Sequence, residues 1–344
     1  MGVNSSIFEP GSPQAAAILQ LFILLTLISA VILALVVGVT LYSSIRYRRR
    51  AEAAENAEPR QIFGHPRLEM IWTVGPFLLL TSLFILTVST MQQADPAVHG
   101  QAPDLIITGH QWWWEVAYPK AGFVTANEIH LPAGQRLLVQ LEAADVIHDF
   151  WVPKLGRKMD MIPGHTNYLW VEASTPGLYL GACSEFCGAQ HAWMRLRVIA
   201  QTPAAFDAWQ QGQLQSPPPL VAAGALTATA PVSATVAQRV TAASAITATA
   251  SMTLAVQGAQ RFQALTCKNC HAIAGTGATA TVGPNLTHVA SRQTLGAGVL
   301  ENTPANLQKW IENPQAVKPG NQMPHFQLSQ ADVAALVAYL ETLQ

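Results

Sequence analysis

Residues 183–194 read Cys183-Ser-Glu-Phe-Cys187-Gly-Ala-Gln-His191-Ala-Trp-Met194. Two thiols, an imidazole and a thioether in so short a stretch form a soft-ligand set, which favours copper over hard cations. The stretch follows Gly177-Leu-Tyr-Leu-Gly181 and runs into Met194-Arg-Leu-Arg-Val-Ile199, both strand-like. It is therefore read as a ligand-bearing loop at the end of a β-sandwich. A further imidazole is needed, and His148 in Val146-Ile-His-Asp-Phe-Trp151 is the natural candidate. On spacing alone three other readings stay open: a Cys183–Cys187 disulfide, a zinc site with His191 and His148, or a mononuclear copper site that uses only one of the thiols.

Working outward, residues 104–200 carry short runs of strand character: Leu105–Thr108, Arg136–Leu141, Asn167–Val171 and Met194–Ile199. Turn residues such as Leu131-Pro-Ala-Gly134 and Thr175-Pro-Gly177 separate them, as expected of a small sandwich or barrel.

Toward the N-terminus, Ala15–Tyr42 contains no charge, and a second uncharged stretch runs from Met70 to Gln93. About 20 apolar residues suffice to span a bilayer. Arg46, Arg48, Arg49, Arg50, Arg60 and Arg67 lie between the two stretches, and the first 14 residues carry neither Lys nor Arg. The positive-inside rule makes that loop cytoplasmic and puts both termini outside. A signal peptide fits poorly, because the basic residues follow the apolar run instead of preceding it. Pro76 lies inside the second span, where a kink can be tolerated. Glu69 just before it reads as an ordinary interfacial charge.

The whole chain is 11% charged and 50% hydrophobic, with net charge −1. Ordinary soluble proteins are roughly 25% charged, so the balance fits membrane segments and argues against a nucleic-acid partner. From Gln215 to Thr253 the composition collapses to Ala, Thr, Ser, Val and Pro with one charge, Arg239, as expected of a linker. Beyond it, Cys267-Lys-Asn-Cys270-His271 is the attachment sequence of a c-type haem, with His271 as the proximal ligand. Met323 in Asn321-Gln-Met-Pro-His-Phe326 fits the second axial position; His288 and His325 are its rivals. Helices are expected over Ala255–Leu265, Asn306–Asn313 and Ser329–Leu343, the last with Ser329 as N-cap. The division expected is 1–94 hairpin, 95–214 copper-bearing sandwich, 215–253 linker and 254–344 all-α cytochrome.

Together these motifs resemble subunit II of the haem–copper cytochrome c oxidases, fused to a class I cytochrome c as in the caa3 type. The resemblance rests on Cys-x-Glu-x-Cys-Gly-x-x-His-x-x-Met, on His148 with Pro153-x-Leu-Gly and Asp160-x-Ile-Pro-Gly, on Gly109-His-Gln-Trp-Trp-Trp114 and on Leu68-Glu-x-x-Trp72. It implies a cupredoxin-like fold between a two-helix transmembrane hairpin and an all-α cytochrome. It implies a binuclear copper A held by Cys183, Cys187, His148, His191, Met194 and the Glu185 carbonyl. It further implies a magnesium shared with subunit I through the Glu185 side chain, electrons entering at Trp112, and a proton-channel mouth at Glu69. In the cytochrome, Gly283-Pro284-Asn-Leu286 resembles the segment that buttresses the proximal histidine.

The function so implied is electron input from an upstream donor protein, through haem c and copper A, to a catalytic subunit I in the plasma membrane, with subunit III as a further partner. The chain's spans hold no histidine set, so the oxygen-reducing centre lies in that partner. Two other classes share the motifs: a copper A–containing nitric oxide reductase subunit, and a membrane-anchored carrier without a catalytic partner. The second span argues against the last, since one would suffice as an anchor.

Overall fold

The computed structural model describes residues 6–48, 61, 63–95, 97–98, 100–217 and 253–344. Residues 218–252, most of the stretch read as a linker, lie outside the described residues, as do Arg49, Arg50 and Arg60 of the basic loop.

Two long helices open the chain, α1 (Pro13–Arg46) and α2 (Pro66–Ala94). Each starts with a proline at the first helical position, where the missing N–H costs nothing. Ser12 Oγ caps α1 by accepting from Ala15 N at 2.9 Å. Their most apolar windows have mean hydropathy 3.0 and 2.0, and no part of either window is buried within the chain. At 1.5 Å per residue they are about 50 and 43 Å long, more than the ~30 Å hydrocarbon core of a bilayer. Thr26, Thr40, Thr81, Ser82 and Thr87 return their hydroxyls to the carbonyl four residues back, so these polar atoms are satisfied within the helices. α2 continues unbroken through Pro76.

The middle of the chain is a sandwich of two five-stranded sheets. One has the order β3 (Phe123–Ala126), β2 (Trp113–Tyr118), β1 (Leu105–His110), β5 (Leu137–Ala143), β8 (Asn167–Val171). The other runs β4 (Glu128–Pro132), β10 (Arg195–Gln201), β9 (Gly177–Cys183), β6 (His148–Trp151), β7 (Met159–Met161). Burial alternates along β1 and β10, and Ile107, Trp114, Val116, Leu141, Met161 and Val198 fill the space between the sheets. Leu131-Pro132, expected in a turn, instead ends β4. A proline is tolerated there because β4 lies at the sheet edge. A helix, α3 (Pro203–Gln213), follows β10 and lays Trp209 on Tyr118, Phe123 and His130.

The hairpin is stitched to this sandwich. Gly11 N donates to Lys154 O at 2.7 Å, Ser174 N to Gly11 O at 2.8 Å, and Ser12 Oγ to Leu155 O at 2.8 Å. Arg157 pairs with Asp95 at the end of α2.

The last unit is helical: α4 (253–264), α5 (Pro304–Glu312), a single turn α6 (Pro314–Val317) and α7 (Gln330–Leu340). Ser329 caps α7 as expected, accepting from Asp332 N at 3.1 Å. Phe262, Ile273, Leu307, Val333, Leu336 and Tyr339 form its core. A two-stranded ribbon, Thr294–Leu295 with Leu300–Glu301, faces the sandwich.

Candidate metal and haem centres

The neighbouring positions of β6 and β9 assemble the first centre. Phe150 is paired with Cys183, so His148, at the start of β6, lies beside the end of β9. The β9–β10 loop then brings in Cys187, a short 3-10 turn carries His191, and Met194 stands just before β10. Cys183 Sγ lies 3.9 Å from His148 Nδ1, 3.2 Å from the Glu185 carbonyl and 3.7 Å from Cys187 Sγ. Cys187 Sγ lies 3.6 Å from His191 Nδ1 and 3.8 Å from Met194 Sδ. All six donors proposed from the sequence therefore converge. The four cysteines are free, so a disulfide is not formed here.

The donors fit a soft metal. The ligand atoms of His148, Cys183 and Cys187 lie within 4.8 Å of one another in a buried setting. With metal–thiolate bonds of about 2.3 Å, one ion can touch both sulfurs. Sharing with the Cys187 thiol, aided by His148 and nearby backbone groups, pulls Cys183 down to about 3, and the same shared proton pushes Cys187 up. Thiolate character at the pair is what a metal requires.

Neighbouring residues orient this set, among them Asp145, to which the sequence reading assigns no role. Asp145 Oδ1 lies 2.8 Å from His148 Nε2, leaving Nδ1 for the metal side. Gln111 Nε2 and Trp112 Nε1 both donate to the Cys187 carbonyl, at 2.8 and 2.9 Å. Gly188, at φ 114, is required beneath them, since a Cβ there would sit 2.9 Å from Trp112 Cζ2. Asp149, next to His148, is fully buried, and burial pushes it up to about 7.

The second centre is a cleft of about 200 Å³ lined by Cys267, Cys270, His271, Met323, Pro284 and Arg292. His271 Nδ1 lies 2.8 Å from the Pro284 carbonyl, so Nε2 is the free ligand atom. Burial lowers the His271 imidazole below its ordinary value and favours the neutral form that binds a metal. Gly283 closes against it, since a Cβ would meet His271 Cε1 at 2.6 Å. Arg292 Nε is buried without a partner among the described residues, and burial holds the guanidinium down to about 10. Two thiols, an imidazole, a thioether and an unspent cationic donor around an apolar cleft fit a covalently attached macrocycle with carboxylate arms. His288 is not a rival ligand: its ring nitrogens face the carbonyls of Gln344 and Gln213 at 2.7 and 3.0 Å. His325 is not among the residues that line the cleft.

Trp112 belongs to both centres, because it also lines the haem cleft. Trp114 is a core residue, and Trp113 stacks on His110 with ring centroids 4.3 Å apart. Glu69 is exposed at the start of α2, where its Oε1 accepts from His65 N at 3.1 Å as part of the helix cap. The Glu185 side chain is exposed beside Phe186, which is itself 76% exposed.

Comparison with known proteins agrees along the chain. The transmembrane domain of cytochrome c oxidase subunit II matches residues 3–90, its periplasmic domain residues 120–201, and cytochrome c residues 255–344. The cytochrome c oxidase subunit 2 of Alkalihalophilus pseudofirmus is 35% identical over 99% of this chain and 91% of its own length. That of Bacillus subtilis is 30% identical over 98% and 92%. Among solved structures, the periplasmic domain of subunit II of cytochrome oxidase from Bradyrhizobium japonicum is 34% identical. It covers 33% of this chain and 96% of that one, with a TM-score of 0.32.

Proposed function

Because this chain belongs to the cytochrome c oxidase subunit 2 family, we propose that it is the electron-input subunit of a caa3-type oxidase. Membership of the family implies association with a haem–copper subunit I. Cys183, Cys187, His148, His191, Met194 and the Glu185 carbonyl would hold a binuclear copper A. Cys267 and Cys270 would carry haem c covalently, and His271 and Met323 would hold its iron. Bound there, these groups supply one-electron redox chemistry at two points.

The observation that carries the reading is the double placement of Trp112, which is among the residues lining the haem cleft and whose Nε1 donates to the carbonyl of Cys187. The protein thus offers a direct connection from one centre to the other. Electrons from an external donor protein would enter the cytochrome unit, cross at Trp112 to the copper-bearing sandwich, and leave for subunit I. There oxygen is reduced with proton pumping. The name carried by the relatives supports oxygen over nitric oxide as the final acceptor. The chain itself would anchor in the plasma membrane by α1 and α2, with the Arg-bearing loop cytoplasmic and both cofactor-bearing units outside. The exposed Glu185 and Phe186 fit a surface turned toward subunit I, where a magnesium and the Glu69 proton entrance would also lie. Subunit III would complete the complex.

Low-temperature EPR of the oxidised full-length protein, matured with haem c and copper, tests the assignment. The expected spectrum is a multi-line copper signal from one electron shared by two nuclei, beside a low-spin haem signal. A single-copper signal, or none with the haem intact, would overturn the binuclear centre.

A further inference from the structure

Glu128 begins β4 of the copper-bearing sandwich, is only 3% exposed, and has its carboxylate satisfied from the cytochrome unit. Its Oε1 accepts from Thr294 N and Thr294 Oγ1, both at 2.8 Å, and its Oε2 accepts from Gln293 N at 2.9 Å. Lys318, in the loop that leads to Met323, is 2% exposed and reaches the opposite way. Its Nζ donates to the Trp112 carbonyl at 2.9 Å and to Gly296 O at 3.1 Å. The two charges do not pair with each other. Glu128 is met across the seam by all three of its donors, and Lys318 by the Trp112 carbonyl.

The ground between them is built as well. Trp113 and Ala126 of the sandwich enclose Ala297 of the cytochrome in one buried cluster. Ala297 has φ 62 and lies between Gly296 at 62 and Gly298 at 80. An alanine held left-handed persists only where its surroundings over-determine it. That turn presents Ala297 O to Arg195 N at 3.2 Å, a backbone bond between the two units. A buried charge costs free energy unless it is hydrogen-bonded. All three donors to Glu128, and the Trp112 carbonyl that holds Lys318, reach their charge only in the closed arrangement.

We propose that Glu128 and Lys318 clamp the cytochrome unit onto the copper-bearing sandwich, so that docking belongs to this interface and not to the segment that joins the two units. The purpose of the clamp, a fixed approach of the haem cleft to Trp112, rests on the proposed function; its existence does not.

The test uses the full-length protein in its membrane complex, with a site for a sequence-specific protease placed within residues 218–252 and a C-terminal peptide tag. After cleavage, the tagged cytochrome fragment stays with the membrane complex in the native chain. Glu128→Ala and Lys318→Met each speed its release by roughly thirtyfold or more, the scale expected when one partner of a buried charged hydrogen bond is truncated. Glu128→Gln, which keeps an acceptor, releases it more slowly than Glu128→Ala. Unchanged haem and copper spectra before cleavage show that each variant has folded. Immediate release from the cleaved native chain, or retention by folded Glu128→Ala equal to native, overturns the clamp. Retention by a native chain that lacks the binuclear copper signal would uphold the clamp and sink the electron-transfer reading.

Discussion

Asp145 Oδ1 lies 2.8 Å from His148 Nε2, and this contact turns the other ring nitrogen, Nδ1, toward Cys183 Sγ at 3.9 Å. Burial works against the Asp145 carboxylate, but hydrogen bonds from His148, Val146 N–H and Gln111 N–H outweigh it and hold the acid below its ordinary range. A carboxylate in this place fixes the tautomer of a metal ligand and makes it more basic. Asp145→Asn keeps the shape and loses the charge. Copper affinity should fall about 10- to 100-fold, read as retention against a competing chelator, while the haem spectrum stays native. Equal retention would show that the orientation comes from packing alone.

In the cytochrome unit, α4 crosses α7 at Gly258. A Cβ there would lie 1.9 Å from the Ala335 carbonyl and 2.7 Å from Tyr339 Cβ. The same crossing sets Phe262 edge-on to Tyr339, with ring centroids 5.9 Å apart. Backbone cannot yield as a flexible side chain does, so Gly258→Ala forces the helices apart. The haem-bearing unit should lose at least about 2 kcal/mol, in the range of overpacked cores, measured as the denaturant midpoint of the haem absorption. A midpoint equal to native would mean that the helices part without cost.

The ligands were legible because their chemistry is local. Cys183 to Met194 and Cys267 to His271 each sit in one short loop, and the runs at Leu105, Asn167 and Arg195 alternate as half-buried strands do. The aromatic run Trp112–Trp114 reads as strand, but three large apolar residues carry no alternation to mark where β2 begins. α3 was missed because it is short and carries only two large apolar residues, Phe206 and Trp209, although Thr202 before Pro203 is a helix-start signal. The interface was silent for a different reason. Glu128 meets Thr294 across 166 positions of chain, and no local pattern announces such a partner.

His130 offers a pH prediction. Its ring lies flat on Trp209, centroids 4.0 Å apart, and its Nδ1 is 2.9 Å from Gln201 Oε1. Burial, only partly opposed by Gln201, lowers its pKa from 6.5 to about 4. The folded form thus binds its proton less readily than the unfolded chain. The neutral ring's contribution is complete above pH 6.5 and fades as pH falls toward 4. Between pH 7 and pH 5 the attachment of α3 should weaken by on the order of 2 kcal/mol, followed by Trp209 fluorescence in denaturant. His130→Phe keeps a stacking ring without the titration, so its stability should change less over the same interval. Equal pH slopes for native and variant would rule out His130 as the cause.

Trp112 is where the two halves of the chain can be separated experimentally. It lines the haem cleft while its indole N–H holds the Cys187 carbonyl, and Gln111 Nε2 holds the same oxygen from a second direction. Trp112→Phe removes the indole donor yet keeps an aromatic side chain at this position. Gln111→Leu removes the other donor and leaves the indole in place. With one bond to Cys187 intact in each variant, the copper loop keeps its geometry, and the copper EPR spectrum should be native in both. If the crossing between the units runs through the indole and its hydrogen bond, electron transfer after flash reduction of the cytochrome slows several-fold in Trp112→Phe. It stays close to native in Gln111→Leu. Equal slowing in the two would mean that both bonds serve only to position the loop, and native speed in Trp112→Phe would move the crossing to another part of the seam.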